Sequence, residues 1–212
     1  MVAIKNLLLG FVIIFFTQAA QSSVLFADDR ADIGAAYTVD WGNFGPEFTS
    51  VASNSSIGNV TIQGANVFTT FAGSTYNSDF SATDTVLALF DTNSGEIDGS
   101  FDLFFTEAVY AAGAQVQGYY TGGFTGFISA FNSVNDLLGV FTVSGANNAN
   151  GDGSAAFAGI VSDSKNISRL QFSGFGAGSA INMLSVNDVP EPSTIFLGLL
   201  ALALMTFVRR RA

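Results

Sequence analysis

The chain contains no cysteine and no histidine. Their absence removes disulfide bridges, thiol nucleophiles, histidine zinc ligands and every histidine-dependent catalytic triad. Charge is also scarce: Asp, Glu, Lys and Arg make up 11% of the 212 residues, too few for a charged disordered chain or a salt-bridged helical bundle. Only three prolines occur, and two of them, Pro190 and Pro192, stand near the C-terminus. No stretch of about 12 residues carries the apolar period of an amphipathic helix. No internal repeat of fixed period is visible, which disfavours a propeller or a solenoid. Neither a G-x-S-x-G nucleophile motif nor a phosphate-binding loop is present.

What remains is rich in small polar residues, with 23 glycines and 22 phenylalanines, and it is acidic, with 17 Asp and Glu against 7 Lys and Arg. Residues 28–190 hold 16 of the acids and three basic side chains, Arg30, Lys165 and Arg169, a formal charge of −13. Such a body is repelled by nucleic-acid backbones and anionic headgroups, so no nucleic-acid partner is expected.

The two ends differ from this body. The N-terminal stretch "MVAIKNLLLGFVIIFFTQAAQSSVLFADD" has Lys5, an apolar run from Leu7 to Phe16 and then small residues. That is the pattern of a secretory signal peptide, assigned to residues 1–27, with Ala19, Ser22 and Ala27 as alternative cleavage positions. The C-terminal stretch "VPEPSTIFLGLLALALMTFVRRRA" places a Pro-Glu-Pro triplet before an uncharged segment, Ile195 to Val208, and three arginines. Fourteen helical residues reach about 21 Å, short of a hydrocarbon layer of about 30 Å. Adding Thr194 and letting Arg209, Arg210 and Arg211 snorkel to the headgroups makes a marginal span. The arginines hold the cytoplasmic side, which places the body outside, as the leader also requires.

Motif, short apolar segment and basic stop, in that order at the end of a chain, resemble the tail of PEP-CTERM exported bacterial proteins. The resemblance implies a sorting signal over 188–212, with the motif at 189–192, a membrane helix at 194–208 and a basic stop at 209–211. It further implies Pro190, Glu191 and Pro192 as the recognition element for an exosortase-type membrane enzyme. Two prolines preset an extended backbone that an enzyme can read without unfolding a helix. The chain is then transiently anchored in the inner membrane and ends at the cell surface or in the extracellular matrix. A permanent single-pass anchor is the alternative.

Between the ends, residues 28–187 read as one domain. Short apolar or alternating runs, about eleven of them, are separated by Gly, Asn, Asp and Ser clusters. They are "AAYTVDW", "GNVTIQ", "NVFTTFA", "DTVLALFD", "GSFDLFF", "AQVQGYY", "GFTGFISAF", "LLGVFTV", "SAAFAGIVSD", "ISRLQFS" and "AINMLSV". In "ISRLQFS", Leu170 and Phe172 share one face and Arg169 and Gln171 the other, whereas "TVLALF" reads as buried on both faces. The expectation is an all-β fold, an antiparallel β-sandwich. From about Asp84 to Val186, "AQVQGYYTGGFTGFISAFNSVNDLLGVFTVSG" and "AAFAGIVSDSKNISRLQFSGFG" resemble jelly-roll, galactose-binding-like domains. The last strand departs from that resemblance, with Ile181 beside Asn182 where an acidic residue often stands.

Candidate chemistry is sparse. "DTNSGEID", Asp91 to Asp98, alternates oxygen ligands around Gly95 and reads either as a β-turn or as a structural calcium loop. Asp152 in "NGDGS" admits the same two readings, and Asp163 is expected to order its loop. No other cofactor is implied. Glu47, Glu96 and Glu107 are carboxylates that a glycosidase would need in pairs, but none stands out. Trp41, Tyr76, Tyr110, Tyr119, Tyr120 and Phe124 offer flat surfaces for sugar rings, but with 22 phenylalanines most of the aromatic surface is expected in the core and no single ring is assigned to a ligand. The expected function is therefore non-enzymatic: an exported protein that binds extracellular polysaccharide or serves as a structural component. A secreted polysaccharide-active hydrolase is the competing class.

Overall fold

The computed structural model describes residues 22–64, 66–72, 76–89, 99–176 and 178–189. The apolar leader run, the Asp91–Asp98 loop, Glu96, the sorting motif Pro190–Pro192, the membrane segment and Arg209–Arg211 lie outside the described residues.

Among the described residues fifteen strands run in chain order: β1 Val24–Ala27, β2 Tyr37–Val39, β3 Ser50–Val51, β4 Ser55–Ile57, β5 Val60–Gln63, β6 Val67–Phe71, β7 Thr85–Leu89 and β8 Ser100–Val109. They continue with β9 Ala111–Gln117, β10 Gly122–Phe131, β11 Leu137–Asn147, β12 Phe157–Ser162, β13 Ile167–Ser173, β14 Ala180–Ile181 and β15 Leu184–Asn187. All the pairings between them are antiparallel. One sheet has six strands in the order β11-β10-β13-β8-β5-β4. The other has nine, following β1-β12-β9-β14-β7-β6-β3, with β15 between β9 and β2. The two face each other as a jelly-roll-like sandwich, the fold class the alternating runs implied.

The core follows from the period-2 rule: one face of each sheet is apolar and must be removed from water. Phe101, Leu103, Ile128, Leu170 and Phe172 of the six-stranded sheet meet Leu87, Leu89, Val116, Ile160 and Leu184 of the nine-stranded sheet in one cluster of buried side chains. Trp41, fully buried, joins them, and its indole N–H donates to the Asn182 carbonyl at 2.7 Å. Each such large side chain contributes roughly 1.5–3 kcal/mol by burial.

β7 is buried on both faces, as its apolar run implied, because the outer side of its sheet is roofed. Tyr76 and Phe80 pack over Val86, Ala88 and Ala180. The buried Asp79 staples this roof to the loop after β11, accepting from the backbone N–H groups of Asn148 at 2.7 Å and Asn150 at 2.8 Å. A second cover, the 3-10 turn Arg30–Ile33, brings Ile33 against Ala27, Ala111 and Phe157.

Every one of the runs read as strands overlaps one, with β8, β9 and β11 longer than read, and "AINMLSV" splits into β14 and β15 at Asn182. Both halves lie along β9, with Ile181 opposite Val116 and Ser185 opposite Gly113. Between them the Asn182 amide fills the gap with its own bonds. Its Oδ1 accepts from Gln115 N at 3.0 Å and Arg30 Nη2 at 3.1 Å, and its Nδ2 donates to Gln115 Oε1 at 2.6 Å and Asp84 Oδ2 at 3.0 Å. Three short strands, β1, β3 and β4, were not read from the sequence, and β1 falls on residues assigned there to the leader.

Candidate functional site

The aromatic side chains singled out in the sequence separate into three groups. Trp41 and Tyr76 are fully buried, so they are core and not ligand surfaces. The Tyr76 hydroxyl donates to the Gly178 carbonyl at 2.7 Å, and burial pushes its pKa well above the usual phenol value. Tyr110 stands just before β9, in a cleft with Ser23, Leu25, Asp163 and Asn187. Tyr119, Tyr120 and Phe124 come together beyond the other end of the same strand, which spans about 24 Å at ~3.4 Å per residue.

That second cleft, about 280 Å³, is lined by Tyr119, Tyr120, Thr121, Phe124, Thr125, Phe175 and four glycines, Gly118, Gly123, Gly174 and Gly176. Tyr120 is 65% exposed and meets Tyr119 edge-on, ring centroids 5.5 Å apart and planes at 76°. Phe124 meets Phe175 in the same way at 6.0 Å and 64°. The rings thus form two connected corners, with the exposed Thr121 and Thr125 beside them.

Small residues make this arrangement possible. A Cβ at Gly126 would stand 2.5 Å from the Phe175 ring, and one at Gly118 would stand 2.7 Å from the Phe175 carbonyl oxygen. Phe175 therefore occupies a slot that only glycines leave open. The buried Asn147 fixes the loop above it, its Nδ2 donating to the carbonyls of Gly118 and Tyr119, both at 3.0 Å. Gly118, Gly126 and Asn147 shape the cleft, and the letters "GYYTGGFTG" carry that signal only once Phe175 is known to dock against them.

The cleft continues onto the outer face of the six-stranded sheet through Phe127, which is 45% exposed and packs beside Gly174. Three rows cross that face. Phe131, Arg169, Phe104 and Thr61 form one, and Ser129, Gln171, Asp102 and Gln63 the next. Thr142, Phe127, Ser173 and Ser100 form the third. The Arg169 guanidinium lies 3.6 Å from the Phe131 ring centroid and donates to Asp102 Oδ1 at 2.6 Å and Asn135 Oδ1 at 2.8 Å. The one cation of these rows is thereby neutralised.

Among the described residues the carboxylates singled out in the sequence do not gather. Glu107 is exposed and lies 3.8 Å from Lys165. Glu47 stands just ahead of β3, far along the chain from either. Asp152 accepts from Ser154 N at 3.0 Å and Ser154 Oγ at 2.5 Å, and these bonds lower its pKa, the behaviour of a turn-forming aspartate. Asp163 accepts from the Ser23 N–H at 3.2 Å, Ser23 Oγ at 3.0 Å and Ser22 Oγ at 3.1 Å, which lower its pKa. Among the described residues no group of three or more Asp, Glu, His or Cys is placed to hold a metal ion. No helix among them is long and apolar enough to cross a membrane. Among the described residues no carboxylate lines the aromatic cleft.

Solved structures similar to the chain include CsCBM6-3 from Clostridium stercorarium in complex with cellobiose, at 10% identity and TM-score 0.36, covering 68% of this chain and 98% of that one. A mutant of the family 29 carbohydrate-binding module CBM29-2 aligns at 12% identity and TM-score 0.35, covering 80% and 99%. At these scores the superpositions are too loose to transfer a ligand or a binding residue. No curated protein matches the chain. The description of the C-terminal residues as a PEP-CTERM protein-sorting motif matches over 188–212, so the chain carries the sorting signal of exported proteins directed to the cell envelope or surface.

Proposed function

We propose that this is an exosortase-sorted surface or matrix protein whose body is a non-catalytic glycan-binding module, with the Tyr119–Tyr120–Phe124 cleft as its binding site. One observation carries the reading: three of the six aromatics that offer flat surfaces converge in a single open cleft that holds hydroxyls and, among the described residues, no carboxylate. Sugar rings present apolar C–H faces and hydroxyl edges, so a ligand of this kind needs flat apolar surfaces plus a few polar groups. A hydrolase needs two acids across the scissile bond, and the described residues of this cleft supply none.

The charge of −13 on residues 28–190 favours a neutral glycan over an anionic one. In the proposed sorting step Pro190, Glu191 and Pro192 are read by the membrane enzyme, residues 194–208 hold the chain in the inner membrane, and Arg209–Arg211 stay cytoplasmic. The placement of the cleft supports this scheme. β15 ends at Asn187, opposite Ala111 at the start of β9, whereas Tyr119 and Tyr120 follow the end of β9. The tail therefore leaves from one pole and the cleft opens at the other, away from the membrane that holds the tail.

The test is binding of the exported protein to soluble neutral and anionic polysaccharides by affinity electrophoresis, run alongside a reducing-end assay. Retardation by a neutral polymer with no reducing ends released is the expected result. Sustained turnover abolished by one carboxylate substitution would overturn it in favour of the hydrolase. Self-association with no glycan preference would favour a purely structural role.

A further inference from the structure

We infer that the leader is cut upstream of Ser22, so that the mature protein keeps Ser22 and Ser23 together with β1, the outer strand of its larger sheet. The inference rests on the leader reading of the first residues and adds to it where processing stops. The geometry around β1 carries it. Val24, Leu25, Phe26 and Ala27 pair in antiparallel register with Ser162, Val161, Ile160 and Gly159. Ala27 is 1% exposed and packs with Ile33, Ala111 and Phe157, and Phe26 meets the Phe141 ring at 5.7 Å, joining β1 to the edge strand of the opposite sheet.

Ser22 and Ser23 complete the attachment. Asp163 N donates to the Ser23 carbonyl at 3.2 Å, while the Asp163 carboxylate accepts from Ser23 N, Ser23 Oγ and Ser22 Oγ. Ser22 Oγ lies a further 2.9 Å from Ser162 Oγ and 3.1 Å from Ser164 Oγ. A cut after Ala27 would discard the strand, leave β12 as an unpaired edge and open the small cluster over Phe157. A cut after Ser22 would remove one arm of the Asp163 clasp. A cut after Ala19 keeps everything and leaves small residues, Thr17 and Ala19, at the two positions a signal peptidase reads.

Intact mass and N-terminal sequencing of the protein recovered from its host decide the matter. A first residue of Ala20, Gln21 or Ser22 supports the assignment. A first residue anywhere from Ser23 to Asp28 overturns it while leaving the leader reading intact, and an uncut Met1 removes both. Hydrogen exchange on the mature protein gives a second readout: the segment Val24–Ala27 should be protected to within about tenfold of β12, and Asp163→Ala should speed its exchange by about tenfold or more. Exchange of Val24–Ala27 at the rate of free peptide would overturn the inference.

Discussion

Arg169 Nη1 lies 2.6 Å from Asp102 Oδ1 on the outer face of the six-stranded sheet, with the side chains 14% and 18% exposed. The guanidinium is also clamped between Phe131 and Phe104, whose ring centroids are 3.6 and 5.7 Å away. Removing the cation leaves Asp102 half-buried with Gln171 Nε2 as its remaining side-chain partner on β13. Arg169→Met should therefore lower stability by about 2–3 kcal/mol, read as a shifted urea midpoint. Asp102→Asn keeps an acceptor for Arg169 and should cost less. Equal losses for both would show that the charge of Asp102 matters more than the cation–ring packing.

Tyr120 and Trp41 should give opposite outcomes although both were candidate sugar platforms. Tyr120 is 65% exposed at the cleft and Trp41 is fully buried. Tyr120→Ala should weaken glycan retardation by about fivefold or more and leave the unfolding midpoint unchanged, since loss of a stacking ring costs ~1 kcal/mol or more of binding. Trp41→Phe removes the bond to the Asn182 carbonyl and should lower stability by about 1–3 kcal/mol with binding intact. Binding that survives Tyr120→Ala would move the site elsewhere.

Alkaline pH should unfold the protein by way of Tyr76. Its pKa is raised well above the ordinary 10.0 by burial and, secondarily, by Tyr119, while in the unfolded chain it ionises at the ordinary value. Above pH 10 the unfolded state therefore loses a proton that the folded state keeps, and stability falls as pH rises, by up to ~1.4 kcal/mol per pH unit. Titration of the urea midpoint between pH 9 and 11 checks this. Tyr76→Phe should flatten the profile at the expense of the hydrogen bond to Gly178, so its midpoint at neutral pH should be lower than that of the parent.

The strand runs were legible because water imposes a period: Leu170 and Phe172 face in, Arg169 and Gln171 face out, and four residues of chain suffice to see it. The cleft was half legible. Tyr119, Tyr120, Phe124 and the glycines that flank them are close in the chain, but Phe175 and Asn147, which hold them, arrive from the segment after β13 and the end of β11, a long-range arrangement no local pattern encodes. The same limit explains Asn182. Its side chain reads as an interruption of a strand, and only the fold shows that Gln115, Arg30 and Asp84 supply the bonds that an interruption leaves open. β1 was missed for a different reason: its letters are as apolar as the leader that precedes them, and hydrophobicity alone does not mark where a leader ends and a domain begins.

The sorting tail makes its own prediction. The body ends in a buried strand at Asn187, whose Oδ1 accepts from Val189 N at 3.0 Å, so the chain is tied to the domain up to two residues before Glu191. An enzyme that reads the motif in the proposed scheme must work close against this pole. Pro190→Ala together with Glu191→Ala should leave full-length chains in the inner-membrane fraction. The parent protein should appear at the surface or in the medium without its apolar tail. Mass spectrometry of the C-terminus distinguishes the two: an intact Ala212 on surface material from the parent would mean that the tail is a lasting anchor. Inserting about five Gly/Ser residues after Val189 should leave cutting unimpaired or improve it, because it moves the motif away from the domain and shortens nothing that the membrane segment needs.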